Sequence, residues 1–134
     1  MGKLTAEMKQ AFGKTELFPF ATSSSSGVPN VVPIKYVFVE SDDELWLVDN
    51  YMVKSLQNMQ ENSMGALYIN VSEDKISFQV KGEIEIQSSG EKYERMKKLA
   101  QEIRSDIPAR SLILMRITDI YQCRPGNNVG EKIA

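Results

Sequence analysis

Histidine is absent from the 134 residues, and cysteine occurs once, as Cys123. The missing imidazole removes Ser-His-Asp and Cys-His nucleophilic chemistry and the commonest transition-metal ligand. A single cysteine forms neither an internal disulfide nor a zinc cluster. Cys123 closes the strand-like run LILMRITDIYQC and reads as a bystander rather than a nucleophile. No metal site is expected, and chemistry, if any, rests on a cofactor. No apolar run is long enough to span a bilayer. The start, MGKLTAEMKQAF, has no apolar signal core, and Ala6 stands where a myristoylation motif takes Ser or Thr. The expectation is a cytoplasmic protein without a membrane partner. Positive charge is also short, with 16 Lys and Arg against 18 Asp and Glu. A net charge of −2 argues against nucleic acid as the main partner.

What is present suits one globular domain, 1–134, with an N-terminal helix within 1–16 and a tail at 124–134. Leu4, Met8, Ala11 and Phe12 share one face of a helix over 4–14, and Thr5 caps its start. Residues 17–22 read as a strand, SSSSG at 23–27 as a hairpin connection, and 30–40 as one long strand. The Ser run lacks the GK[ST] of a phosphate loop. Pro33 interrupts the ladder of 30–40, so it marks an edge, a bulge or a place where something other than a strand meets the backbone. The acidic turn Ser41-Asp42-Asp43-Glu44 reads as solvated rather than metal-binding. Strands at 45–48 and 64–71 follow, separated by a helix over 52–62. In 76–86, Ile76, Phe78, Val80, Ile84 and Ile86 alternate with polar residues, and Gly82 falls in the apolar register. This period of two marks a half-buried antiparallel strand, with a bend or close backbone approach at Gly82. A helix over 89–104 and a strand over 111–123 complete the set. The reading is mainly β, α+β: a small antiparallel six-stranded barrel with flanking helices, closed to avoid exposed edges.

The segment 44–63 concentrates chemistry. An apolar strand reaches Asp49-Asn50 and turns into a helix with Lys54 and Ser55 in its first turns and Asn58 one turn on. A helix start offers unpaired N–H groups and the positive end of the helix dipole. An ammonium and a hydroxyl added there suit a phosphate. The same residues also fit a plain strand–turn–helix whose Lys54 and Asn58 face water.

Three segments, in order, resemble the FMN-binding split barrels related to pyridoxamine 5′-phosphate oxidase. GVPNVVPIKYVFV, following FAT at 20–22, resembles the family's G-x-P-x-x-x-P strand; LVDNYMVKSLQNMQENS resembles its DN…KT…NL…NP turn and helix; FQVKGEIEI resembles its Q-V-x-G strand. The resemblance covers 17–123. It implies a split barrel that binds the flavin ring along Val32, Pro33, Ile34 and Lys35, largely through backbone groups. Asp49 and Asn50 match positions lining the ring and ribityl side, Lys54 and Ser55 match phosphate anchors, and Asn58 supports them. Gln79 matches a residue that reaches the flavin across a subunit interface, with Lys81 nearby. A homodimer with the cofactor at its interface follows, acting on a small-molecule substrate or electron carrier. Ser55 replaces the usual Thr and keeps the hydroxyl; Ser63 replaces the Pro after Asn62. The long substrate-binding C-terminus of the true oxidases, with its Arg and His, is missing, so pyridoxal phosphate synthesis is not expected.

The resemblance thus implies an FMN-dependent oxidoreductase or flavin reductase. Near the ring, protons would move through Lys35, Asp49 or Tyr36, or through water, and the sequence does not choose among them. The alternatives are a split-barrel reductase using the deazaflavin F420, and a non-enzymatic flavin carrier or sensor.

Overall fold

The computed structural model describes residues 2–134. Its elements are α1 (Ala6–Lys14), β1 (Phe18–Ser23), β2 (Pro29–Ile34), β3 (Val37–Ser41), β4 (Glu44–Asp49), α2 (Lys54–Glu61), β5 (Met64–Val71), β6 (Ile76–Gln87), α3 (Glu91–Ile103) and β7 (Ser111–Gln122). Thr5 caps α1 as expected, its Oγ1 accepting from Met8 N at 3.2 Å.

The strands form one antiparallel sheet in the order β2-β1-β5-β6-β7-β4-β3. The count is seven, not the six expected, because the stretch 30–40 is two strands. The run is apolar on both sides of the break, so its pattern carried no sign of an interruption. Lys35 and Tyr36 leave the ladder and carry the chain from one edge of the sheet to the other. Three Cα steps span at most about 11 Å, so the two edges lie close and the sheet curls into a barrel. Between β2 and β3 no ladder pairs form; the barrel is split along that seam. Tyr36 O accepts from Val48 N at 3.1 Å and pins the crossing.

The barrel interior is filled by Phe18, Phe20, Leu45, Leu47, Leu67, Ile69, Phe78, Val80, Ile113 and Met115. Phe12 of α1 joins this core, with its ring 5.6 Å from Phe18 and 6.2 Å from Phe78. Strand β4 is buried on both faces: Leu45 and Leu47 point inward, while Trp46 and Val48 point outward under Tyr93, Met96 and Ala100 of α3. Gly82 sits where the β6–β7 register shifts, and a Cβ there would stand 2.4 Å from Arg116 O. This is the close approach its sequence position suggested.

The C-terminal tail folds back on β7. Tyr121 bridges Lys132, Ile133 N donates to Ile120 O at 2.8 Å, and Lys132 pairs with Asp119 at 2.7 Å. Strand β4 covers β7 only from Ser111 to Arg116, so the tail occupies the edge that β4 leaves open. Among the described residues, no helix is long and apolar enough to cross a membrane.

Candidate functional site

The seam opens into a cavity of about 300 Å³. One wall is residues 32–36, the free edge of β2 and the crossing. The other is residues 50–55, the turn after β4 and the first turn of α2, with Val48 between them. Val32, Pro33, Ile34, Lys35, Asn50, Lys54 and Ser55 are thereby brought together. They stand 15 to 23 positions apart in sequence, and the crossing at Lys35–Tyr36 is what folds one set against the other.

The turn is held from behind. Asp49 is 1 % exposed. Its Oδ1 accepts from Met52 N at 2.9 Å and Arg110 Nη2 at 3.2 Å, and its Oδ2 from Ser111 Oγ at 2.7 Å. Arg110 also donates to Met52 O at 2.7 Å. Asp49 is therefore a buried brace for the loop and does not line the cavity; of the three residues expected to move protons near the ring, Lys35 and Tyr36 do line it, and Tyr51 lines it as well. Asn50 does line it. Its Oδ1 accepts from Ala109 N at 2.9 Å, which leaves the Nδ2 hydrogens as its remaining donors. Ala109 has a positive φ of 47°, a conformation unusual for alanine, and Tyr93 Oη fixes it further by donating to Ala109 O at 2.8 Å.

At the other end, α2 begins at Lys54 with no side-chain cap from Val53. Its first N–H groups are thus open to an acceptor. Lys54 is exposed, and no ion pair holds it among the described residues. Ser55 is 2 % exposed and accepts from Asn30 Nδ2 at 3.0 Å. Asn58 lies fully buried behind Ser55, donating to Thr22 Oγ1 at 3.1 Å, while its Oδ1 has no partner. At the far end of α2, Glu61 accepts from Ser25 N at 3.1 Å and Ser25 Oγ at 2.9 Å. These bonds hold the Glu61 carboxyl below its usual range and tie the β1–β2 turn to the helix.

Gln79 and Lys81 do not reach this cavity within one chain. They lie on β6, the middle strand of seven and the one furthest from the seam. Lys81 Nζ stands 4.8 Å from the Tyr121 ring centroid. Val48, Tyr51, Met52 and Val53 line the cavity without having been assigned to it from sequence, and Arg110 and Ser111 brace it from about 60 positions away. The acids of the 41–44 turn each answer a different neighbour: Asp42 pairs with Lys9, Asp43 accepts from Ser41, and Glu44 pairs with Lys92 and Arg116. Burial pushes the Cys123 thiol up, which keeps it protonated near neutrality.

Residues 4–124 match the sequence profile of the pyridoxamine 5′-phosphate oxidase family. The uncharacterized protein MJ0282 of Methanocaldococcus jannaschii is 31 % identical over 134 residues, covering 98 % of this chain and 89 % of its own. The structure of HupZ from Group A Streptococcus superposes with a TM-score of 0.82 at 26 % identity, over 95 % of this chain and 99 % of that one. An FMN-binding protein from Syntrophomonas wolfei shares the fold at TM-score 0.77 and 17 % identity, over 89 % and 85 %. So do an F420 reductase, at 0.58 and 19 % over 78 % and 87 %, and HutZ, the heme storage protein from Vibrio cholerae, at 0.61 and 15 % over 90 % and 94 %. These last three share the fold, and the fold alone does not choose a cofactor.

Proposed function

The chain belongs to the pyridoxamine 5′-phosphate oxidase family, and from that premise we propose that it is an FMN-binding flavoprotein acting as an oxidoreductase. The observation that carries this reading is the seam cavity itself: a site with a strand edge that pairs with no other strand along one wall and an uncapped helix start bearing Lys54 and Ser55 on the other. A ring system with a phosphate on a polyol arm matches those features in order.

In this reading the backbone from Val32 in β2 to Lys35 at the crossing offers the ring the groups that no strand uses. Asn50 Nδ2 donates to the ring or ribityl side, and the N–H groups of the first turn of α2, with Lys54 and Ser55, hold the phosphate. Asp49 and Asn58 act from behind, keeping the turn and the helix start in place. A bound flavin supplies hydride and electron transfer, which the side chains of this protein lack. Lys35, Tyr36 and Tyr51 are the wall residues placed to hold or pass a proton. The cavity is at the lower end of ligand pockets, which run about 300–1,000 Å³, so one chain covers only part of such a ligand. We assign the remaining cover to a second copy, whose β6 brings Gln79 and Lys81. Exposed apolar residues stand on both surfaces that would meet: Val31, Tyr51 and Val53 around the cavity, and Met64 and Tyr68 on β5 beside β6. The lining holds no histidine, the ligand of globin and peroxidase haems; the side chains on it that could ligate a haem iron are Met52, Tyr36 and Tyr51.

The purified protein tests this by its absorbance spectrum and by the mass of whatever it releases on denaturation. FMN is expected. Release of F420 or haem, or failure of the stripped protein to bind added FMN, overturns the assignment.

A further inference from the structure

Four polar side chains meet beneath the start of α2. Thr22 and Asn30 are paired across β1 and β2, and α2 packs over that hairpin with Ser55 and Asn58 facing down. Asn30 Nδ2 donates to Ser55 Oγ at 3.0 Å and reaches Thr22 Oγ1 at 3.4 Å; Asn58 Nδ2 donates to the same Thr22 oxygen at 3.1 Å. The direction of these bonds matters. Both amides spend donors, and both hydroxyl oxygens are used as acceptors. A serine hydroxyl has one proton to give, and the nitrogen facing Ser55 cannot take it. Of the four residues, only Ser55 lines the cavity.

We propose that Asn30 is a positioning residue for anion recognition: by donating to Ser55 it leaves the Ser55 proton to point into the cavity and makes the hydroxyl an obligate donor to a phosphate. This rests on the phosphate of the bound cofactor lying at Lys54 and Ser55. It adds a selectivity device in β2, a strand otherwise assigned to the ring. The buried Asn58 Oδ1, left without a partner, fits the same arrangement. Asn58 likewise spends its amide as a donor to a hydroxyl, Thr22 Oγ1, and leaves its own oxygen unpaired at a cost in stability.

A double-mutant cycle on the full chain tests it, with FMN and riboflavin titrated into stripped protein. Asn30→Val and Ser55→Ala are each expected to weaken FMN by about 10- to 150-fold, the value of one hydrogen bond to a charged acceptor. Riboflavin affinity is expected to stay within about twofold. In the double variant the loss is expected to be no greater than for Ser55→Ala alone, because Asn30 acts only through that hydroxyl. Asn30→Asp keeps the shape but offers Ser55 only acceptors; it is expected to lose FMN at least as strongly as Asn30→Val, and it is the variant to read if Asn30→Val fails to fold. Additive losses in the cycle, or equal losses for FMN and riboflavin, overturn the role of Asn30 while leaving the flavin site standing. A wild-type protein that binds FMN no better than riboflavin removes the phosphate reading itself, and the inference with it.

Discussion

Pro19 and Pro33 stand directly opposite each other across β1 and β2. Neither has an N–H, so this cannot be a pair that exchanges ladder hydrogen bonds. It is the other kind, in which backbone groups point away from the partner strand, and on β2 that direction is the free edge along the cavity. Pro33 thus sits where a missing donor costs the ladder nothing, and it leaves the cavity wall with carbonyl oxygens but one N–H fewer; Pro19 faces β5 instead, and the β1–β5 pairing starts only at Phe20. Replacing Pro33 by Ala is expected to lower stability by only about 0.4–1 kcal/mol, through the greater freedom of the unfolded chain. Chemical denaturation measures it; a loss of several kcal/mol would mean that the ring packs against something essential.

Gly82 makes the opposite case. A Cβ there would meet Arg116 O at 2.4 Å and Met115 Cγ at 2.6 Å, in the bulge between the two longest strands. One obstacle is backbone, which cannot rotate away. Gly82→Ala is expected to cost about 3 kcal/mol, at the high end of overpacking. Gly13→Ala is the control. Nothing lies within 4 Å of its Cβ, and it sits within α1, so it is expected to gain about 0.5–1 kcal/mol. Thermal melts of the two variants should move in opposite directions.

These two positions also show what the sequence made legible. Period-two alternation located β6, and a glycine in its apolar register announced the bulge. The proline in 30–40 announced an edge with an unusual neighbour. The same stretch concealed the break at Lys35–Tyr36, because VVPIKYVFV is apolar on both sides and alternation cannot register a change of strand there. That break determines the architecture, since it makes the seam. The helix start with Lys54 and Ser55 was readable because the residues are consecutive. The braces were not: Asp49 meets Arg110 and Ser111 across about 60 positions, and nothing local marks such a pair. Asp49 therefore looked like a wall residue when its carboxylate is spent on the protein.

Glu44 gives a pH dependence whose sign can be worked out. Its carboxylate is 8 % exposed. Burial pushes its pKa up, but the Trp46 indole N–H at 2.9 Å, the Lys92 ammonium at 3.0 Å and the Arg116 guanidinium at 3.4 Å outweigh that and hold it below the usual carboxylate range. A depressed folded-state value contributes stability above the unfolded value, about 4.3 for Glu, and loses it as pH falls through the folded value. Glu44→Gln is expected to cost about 1–3 kcal/mol at pH 7, with the gap from wild type closing below about pH 4. A gap that persists into acid would assign the loss to packing.

Lys54 tests the phosphate end of the site. It is exposed and without an ion pair among the described residues, so truncating it leaves no buried charge behind. Lys54→Ala is expected to weaken FMN by about 1.5–3 kcal/mol, the range for hydrogen bonds to charged groups. Riboflavin, which lacks the phosphate, should hardly respond, and raising the salt concentration should shrink the difference. Equal losses for both ligands in a fluorescence titration would place the phosphate elsewhere.

Assembly is the remaining expectation, and the sheet order supplies its geometry. Gln79 and Lys81 lie on the central strand, three strands from either edge, so they meet a seam cavity only if it belongs to another molecule. If β6 of one copy covers the cavity of a second, a two-fold axis makes the reverse contact as well, and two equivalent sites result. The apolar residues left exposed at the cavity rim and on β5 would then be buried against each other, within an interface of about 1,200–2,000 Å² in total. Because the ligand is shared, binding and association are linked: FMN at one hundred times its Kd stabilises the assembled form by about 2.7 kcal/mol for each site. Sedimentation with and without FMN is expected to show a dimer whose dissociation constant falls when FMN is added. Gln79→Ala should weaken FMN without altering the fold, and Lys81→Glu should weaken dimer and FMN together. A monomer that holds FMN as tightly as the bulk sample would exclude the shared site, and the cavity of one chain would then have to account for the whole affinity.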